Sequence, residues 1–314
     1  MRLDIIKCHG SGNDFPLIDA RAIDLPDAAW AVVARALADR GGPVGGDGLL
    51  ALAAGDGATG FAMRMWNADG SEAETCLNGL RCVARAGFAA LGVDTATVRL
   101  KTSIAQVARA ADLAPGVYAV RETAGPAGTD TAAFPITGAP PRLIDGAIAQ
   151  LPTARRFTAV TMPNPHLISF VDMVDDAELV ALGERCEAAP GWLPNRANLS
   201  FVELRGGDLF VRTFERGVGL TNSCGSAMAA STYAACLTGR ARFAVPLTVF
   251  NRGGKVGATA AEDGMVTLSG NATFEWRGSV EVDLETGHAA ALVVAERYAD
   301  EVASWDAVVK GIGV

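Results

Sequence analysis

Two similar stretches of sequence indicate how the chain is organised: FAMRMWN at residues 61–67 and LFVRTFE at residues 209–215. Both have the apolar and aromatic pattern of a half-buried strand. Each also carries an arginine two residues before an aromatic side chain and three residues before a polar one. These arginines, Arg64 and Arg212, are 148 residues apart (212 − 64). The shared pattern predicts a repeated strand, and therefore a chain built from two related halves.

A cysteine follows each of these strands at the same separation of 148 residues (224 − 76). Cys76 and Cys224 each come after a glycine-containing loop and open a helix-like segment that stops at a glycine, Gly92 or Gly239. The predicted helices are 26–38, 76–91, 175–187 and 224–238. Besides the two repeated strands, the predicted strands are 2–7, 15–19, 48–53, 96–101, 117–121, 158–162, 167–171, 199–204, 246–250, 265–269 and 279–283.

The position of both cysteines at a helix start predicts reactive thiols. Unpaired N–H groups and the helix dipole lower the pKa of a thiol there and also bind carboxylates. If the two halves pack face to face, a carboxylate held at both helix starts has one thiol on each side. A thiolate then removes an α-proton while the opposite thiol donates one, which inverts the α-carbon. The alternative is a pair of buried structural cysteines, as we expect for Cys82 and Cys236.

Composition excludes several classes of protein. The chain has 314 residues, of which 50% are hydrophobic and 20% are charged, and this excludes a disordered chain. A net charge of −8 without a basic run argues against a nucleic acid partner. No apolar stretch reaches the ~18 residues of a membrane span and no signal peptide is recognisable, so we expect a cytoplasmic protein without a membrane partner. Six scattered cysteines and three histidines show no metal-ligand spacing.

Seven short segments then stand out together: HGSGNDF at 9–15, NADGS at 67–71, CLNGLRC at 76–82, MPNPH at 162–166, NLSFV at 198–202, ERGVG at 215–219 and CGS at 224–226. In this order they resemble the diaminopimelate epimerase family, whose members are amino acid epimerases that use no pyridoxal cofactor. The resemblance covers residues 1–283. Each segment alone is weak, but the whole set is highly specific.

The resemblance implies an α/β (α+β) fold of two pseudo-symmetric domains, each a β-barrel-like sheet around a central helix. The active site would lie in the interdomain cleft. The N-terminal half is expected over residues 1–125, completed by about 275–283, and the C-terminal half over residues 126–274.

The tail, residues 284–314, extends beyond the usual end of the family. Its apolar side chains follow a helical spacing at Val294, Tyr298, Val302, Trp305 and Val309. This spacing predicts an extra amphipathic helix. We expect the helix to pack against the body of the protein or against a partner subunit, so a homodimer stays open.

The resemblance also assigns roles to residues. Cys76 and Cys224 match the two acid/base thiols. The backbone N–H groups that match the α-carboxylate site belong to Asn78, Gly79, Gly225 and Ser226. The side chains that match the grip on the amino groups and distal carboxylate are Asn13, Asn67, Asn164, Asn198, Glu215 and Arg216. His166 is a further candidate, with simple packing or backbone hydrogen bonding as its alternative. We expect a small amino acid substrate, no cofactor and no metal.

Four positions near the expected site depart from the family pattern: Leu77, Pro163, Leu220 and Ala227. Leu77 adds bulk beside a thiol, Pro163 lacks an N–H group, and Leu220 stands where the family usually has a glutamate. These changes leave open a second hypothesis, a racemase of another polar amino acid such as histidine. A third hypothesis is a thiol-redox or ligand-binding protein whose two helix-start cysteines cycle between dithiol and disulfide.

Overall fold

A computed structural model describes residues 1–312 of the chain. The described chain divides by its internal contacts into two compact units. Of the described residues, one unit contains Met1–Glu122 together with 269–312, and the other contains Thr123–Leu268. Strands dominate both units, with few helices, so the expected α/β class is confirmed. Across residues 1–312, no helix has both the length and the apolar character needed to cross a membrane.

The helices of the first unit are α1 (Asp27–Ala38), α2 (Leu77–Leu91) and, in the tail, α5 (Ala299–Lys310). Its strands are β1 (Arg2–Gly10), β2 (Asn13–Asp19), β3 (Gly48–Ala54), β4 (Phe61–Asn67), β5 (Thr95–Arg99), β6 (Ile104–Ala110), β17 (Thr273–Asp283) and β18 (His288–Arg297). The chain passes from one unit to the other within β7 (Ala119–Ala124) and returns within β16 (Val266–Asn271).

The helices of the second unit are α3 (Asp176–Glu187) and α4 (Gly225–Leu237). Its strands are β8 (Gly146–Ala147), β9 (Arg156–Thr161), β10 (Pro165–Val171), β11 (Asn198–Arg205), β12 (Asp208–Glu215), β13 (Gly219–Thr221), β14 (Leu247–Asn251) and β15 (Gly254–Ala260). The predicted helices therefore all occur, and each begins within one residue of its expected start.

The two units share one order of strand pairing. In the first unit, β1–β2, β3–β4 and β5–β6 pair antiparallel, whereas β2–β3 and β4–β5 pair parallel. In the second unit, β9–β10, β11–β12 and β14–β15 pair antiparallel, whereas β10–β11 and β12–β14 pair parallel. In each unit a helix connects the strands of both parallel pairs. The repeat predicted from the sequence is confirmed at the level of strand pairing.

The repeated arginines have equivalent partners in the two units. Arg64 on β4 donates a hydrogen bond of 2.7 Å to Asp27, the first residue of α1. Arg212 on β12 donates one of 3.0 Å to Asp176, the first residue of α3. A carboxylate in the first turn is stabilised by the positive end of the helix dipole. Each arginine therefore ties a central strand to a helix start, which is a structural role.

The helices that follow the repeated strands form the buried centres of their units. The helix α2 contacts the strands β1 to β6, and α4 contacts β9 to β12 and β15. Most residues of both helices are buried. The expected central helix in each half is therefore confirmed, and the surrounding strands fix where each helix begins.

The tail differs from its prediction. Residues 288–297 form β18, which pairs antiparallel with β17, and the helix covers only Ala299–Lys310. The prediction of one helix over 284–314 is therefore wrong for residues 288–297, which form a strand. The last two residues of the predicted helix, 313–314, lie outside the described residues.

Candidate active site

Cys76 is the N-cap residue of α2, and its side chain is partly buried. Its extended backbone turns Sγ toward the first helical turn, where Sγ accepts the N–H of Gly79 at 3.3 Å. The thiol also donates toward Oδ1 of Asn13, at an S–O distance of 3.6 Å. A Cβ atom on Gly79 would lie 2.7 Å from the side chain of Leu50. Glycine at this position therefore allows the helix start to approach β3 closely.

Asp47, which the sequence pattern does not identify, orients the side chain of Asn13. Its Nδ2 donates to the carboxylate of Asp47, which also accepts from Arg40 at 2.6 Å. Because a carboxylate only accepts, the Asn13 nitrogen faces Asp47 and its oxygen faces the thiol of Cys76. The signal available in the sequence is an acidic residue within the glycine-rich loop 41–48.

Two of the predicted asparagines support the backbone around Cys76. Asn78 is buried, and its Oδ1 accepts from Arg81 at 2.8 Å. Arg81 is itself paired with Glu122 at 2.7 Å, and both charged side chains are fully buried. Asn67 is exposed at the end of β4, where its Nδ2 donates to Ser71 at 3.0 Å. Asn78 therefore braces the start of α2, and Asn67 shapes the loop that precedes this helix.

Cys224 is the N-cap residue of α4 and is only 8% exposed. Its Sγ lies 3.5 Å from the hydroxyl oxygen of Ser226. Burial raises the pKa of the Cys224 thiol well above its usual value, and the negative charge of Glu215 raises it further. The Ser226 hydroxyl and the Ala227 N–H lower the pKa, but by less. At Cys224 the lowering contributed by the N–H group at the helix start is therefore outweighed by burial and by the charge of Glu215.

Four predicted residues meet where β10 runs beside β11. His166 is fully buried, and its Nε2 lies 3.0 Å from Oδ1 of Asn164. Asn198 is the register partner of His166, and its Oδ1 accepts the backbone N–H of Arg216 at 2.7 Å. Burial and, to a smaller extent, the charge of Arg216 lower the pKa of His166 to about 3. His166 is therefore a neutral, buried residue that hydrogen-bonds to Asn164 and lies on the strand beside the one carrying Asn198.

Three of the four residues that depart from the family pattern pack inside the protein, and the fourth is exposed. Leu77 is the buried first residue of α2, and Ala227 is buried in the first turn of α4. Leu220 on β13 packs against the hydrophobic core of the second unit. Pro163 is exposed in the turn before β10. The leucine in place of the usual glutamate therefore extends a core.

After burial, the charge of Glu215 is the next cause of the raised pKa of Cys224, and this predicts a measurable shift. Oε1 of Glu215 accepts from the hydroxyl of Thr221 at 2.6 Å, and its negative charge disfavours a thiolate at Cys224. Glu215→Gln removes the charge, so we expect a lower pKa for the Cys224 thiol. Each unit of decrease raises the thiolate fraction about tenfold well below the pKa. The pH dependence of iodoacetamide alkylation at Cys224, followed by peptide mass spectrometry, measures the shift.

The matched control for this experiment is Glu203→Gln. Glu203 lies in the same unit on β11 and pairs with Arg205 at 3.2 Å. We expect the control variant to leave the alkylation profile of Cys224 unchanged. An unchanged profile in the Glu215 variant as well would show that this carboxylate does not set the acidity of the thiol.

The chain is similar to known proteins over most of its length. The family model described as diaminopimelate epimerase matches residues 5–109 and 158–275. The diaminopimelate epimerase of Clostridium acetobutylicum is 36% identical over 290 residues, covering 90% of this chain and 87% of the relative. That of Listeria monocytogenes is 36% identical over 292 residues, covering 89% of each chain. A solved phenazine biosynthesis protein of the PhzF family from Bacillus anthracis shares the fold, with a TM-score of 0.64 and 13% identity over 90% of this chain and 100% of the other.

Proposed function

The chain belongs to the diaminopimelate epimerase family, and on that premise we propose that it interconverts LL- and meso-diaminopimelate in lysine biosynthesis. The observation that carries this proposal is the equivalent position of Cys76 and Cys224. Each is the N-cap of the central helix of its own unit, and each lies within a segment matched by the family model. Inverting an α-carbon needs one base and one acid, and two thiols can supply both.

We assign the proton transfers to the two thiols. In one direction the thiolate of Cys76 takes the α-proton, and the electron pair of the broken C–H bond passes to the α-carbon and its carboxylate. Cys224 then donates its thiol proton to the opposite face and becomes a thiolate. Its raised pKa, caused by burial and by Glu215, supports the role of proton donor in this direction. The reverse direction exchanges the roles, so the titration belongs to the pair of thiols.

We propose that both helix starts bind the reacting carboxylate. We assign its binding to the backbone N–H groups of Asn78, Gly79, Gly225 and Ser226. As the α-proton leaves, negative charge grows on the carboxylate oxygens, and the positive ends of α2 and α4 stabilise that charge. The N–H of Gly79 already donates to the sulfur of Cys76. Charge on the thiolate and charge on the substrate are thus stabilised by the same helix start.

The non-reacting end of diaminopimelate carries a second carboxylate and a second ammonium group. A guanidinium pairs with a carboxylate through two hydrogen bonds, and Glu215 accepts from an ammonium. We therefore assign the distal carboxylate to Arg216. The remaining polar contacts are assigned to Asn13, Asn67, Asn164 and Asn198. Two contacts support this assignment: Asn164 is hydrogen-bonded to His166, and the backbone N–H of Arg216 donates to Asn198, the register partner of His166 on the next strand.

We also propose that the enzyme works in the cytoplasm, and a homodimer is the association state to be tested. Acid/base catalysis by a pair of thiols requires both to stay reduced, and the cytoplasm maintains this condition. Sedimentation of the purified chain tests the homodimer, since a monomeric mass across the working concentration range would contradict it.

Deuterium incorporation tests the proposed reaction. In D2O with a reductant and without added pyridoxal phosphate, we expect deuterium at the α-carbon of the product and conversion of LL- to meso-diaminopimelate. Histidine, lysine, ornithine and glutamate are assayed beside it. Turnover of one of these in place of diaminopimelate would establish the alternative substrate, and exchange that persists fully in the Cys76→Ala/Cys224→Ala double variant would refute the mechanism. If the chain turns over none of these amino acids and its two cysteines instead cycle between dithiol and disulfide, it is a thiol-redox protein.

A further inference from the structure

The tail helix α5 contacts two elements that position Cys76, the strand β1 and the helix α2. It lies beyond residue 275, where the family match ends. Trp305, its buried residue, is 3% exposed and lies against His9, with 5.9 Å between the ring centroids. Glu301 binds Arg85 of α2 through both carboxylate oxygens, and it also accepts the backbone N–H of Phe274 at 3.0 Å. The helix is therefore fastened both to the end of β1 and to the helix that Cys76 caps.

His9 connects Trp305 to the turn between β1 and β2. Its Nδ1 accepts the backbone N–H of Gly12 at 3.4 Å and lies 3.2 Å from Nδ2 of Asn271. A backbone N–H can only donate, so Nδ1 carries no proton in this arrangement. Burial lowers the pKa of His9 to about 4, which keeps the imidazole a neutral acceptor at neutral pH.

The turn itself has a conformation that needs support. Ser11 and Gly12 both have positive φ angles, 52° and 78°, as a two-residue hairpin turn of type I′ requires. Ser11 pays a steric cost there that glycine does not. Its N–H donates to Oδ1 of Asn271 at 2.7 Å, and its hydroxyl accepts from Arg81 at 3.2 Å. The next residue is Asn13, whose Oδ1 is the acceptor for the thiol of Cys76.

We propose that Trp305 is a positioning residue for Cys76. The indole holds the His9 imidazole in place, the imidazole holds the N–H of Gly12, and the turn sets Asn13 against the sulfur. Without the indole, the imidazole can rotate into the vacated space and release Gly12. The inference rests on the proposed function, because Cys76 is one of the proton-transfer groups there. It extends the machinery of the site into the part of the chain that the family model does not match.

The test compares Trp305→Ala with Val33→Ala in the full-length chain. Val33 is fully buried in α1 of the same unit and controls for a loss of stability, which is measured for both variants by thermal unfolding. Peptide mass spectrometry follows iodoacetamide alkylation of Cys76, with Cys224 as the internal reference. In Trp305→Ala we expect several-fold faster alkylation of Cys76 and an unchanged rate at Cys224. Because a misplaced catalytic group costs up to about 10²-fold, we expect kcat for deuterium exchange to fall about tenfold with little change in KM.

Two further variants keep the inference testable if Trp305→Ala does not fold. Trp305→Phe retains a ring against His9, so it should restore most of kcat. Glu301→Gln weakens the attachment of α5 to Arg85 without emptying the core, so it should also speed alkylation of Cys76. Equal effects of Trp305→Ala and Val33→Ala on Cys76, or an unchanged Cys76 rate in Glu301→Gln, would overturn the proposal. A wild-type chain that does not turn over diaminopimelate would refute the proposed function, and the alkylation rates would still decide the role of Trp305.

Discussion

Replacement of Cys76 or Cys224 with alanine is expected to slow epimerisation about 10²–10⁴-fold, the contribution of a positioned general acid or base. Both cysteines cap helices whose other residues are largely buried, so removing Sγ changes the site more than the fold. The chain offers a matched control within each helix, because α2 also contains Cys82 and α4 also contains Cys236. Alanine at either control position should leave kcat close to that of the wild type.

The two single variants should differ in the stereoisomer they still exchange. Each remaining thiol reaches only one face of the α-carbon, so it can remove and return a proton on that face without inverting the centre. We therefore expect slow deuterium exchange from LL-diaminopimelate in one variant and from the meso isomer in the other. Exchange is followed by mass spectrometry, with product chirality measured in parallel. If both variants exchange both isomers, a single base serves both faces and the two-thiol mechanism fails.

The repeat is readable from the sequence because strand, loop and helix start keep one separation in both halves. Arg64 and Arg212 are visible in that pattern, but their partners are not. Asp27 and Asp176 lie 37 and 36 residues away along the chain, and a contact at that distance leaves no local periodicity. The strands β6 and β15 are also absent from the sequence prediction, because their small and charged residues lack a strong strand pattern. They form strands because β5 and β14 provide antiparallel partners.

In the site, too, features set by neighbouring residues can be predicted from the sequence, whereas features set by tertiary contacts cannot. The N-cap positions of Cys76 and Cys224 follow from local sequence, whereas the acidity of Cys224 depends on burial and on the approach of Glu215. The orientation of Asn13 depends on Asp47, which belongs to a different loop. In the tail, Val294 fits the helical spacing but lies in β18, since apolar spacing alone does not mark where a strand ends and a helix begins.

The buried ion pair beneath the Cys76 helix should give the largest change in stability. Arg81 and Glu122 are both fully buried, and Arg81 also donates to Asn78, to Ser11 and to the backbone carbonyl of Asn271. Arg81→Met leaves a buried carboxylate without its counter-ion, which costs about 3–5 kcal/mol of unfolding free energy. Arg99→Met is the matched control, because Arg99 forms a half-exposed surface pair with Asp56. Such surface pairs contribute about 0–1 kcal/mol, so Arg99→Met should change the free energy of unfolding by no more than this.

The pH dependence identifies Glu122 as the origin of that loss. Burial raises the pKa of Glu122 to about 7 even beside Arg81, against an ordinary value of 4.5. A pKa raised by folding means that the native state binds the proton more tightly, so its contribution to stability is present below pH 4.5 and is lost as the pH rises through 7. Without Arg81 the pKa rises further, so Arg81→Met should be more destabilising at pH 8 than at pH 5 in urea unfolding. Glu122→Gln added to Arg81→Met should remove this pH difference and recover part of the stability, because no unpaired charge then remains buried. A loss independent of pH, unchanged by the second substitution, would place the cost in the bonds of Arg81 to Ser11 and Asn271 instead.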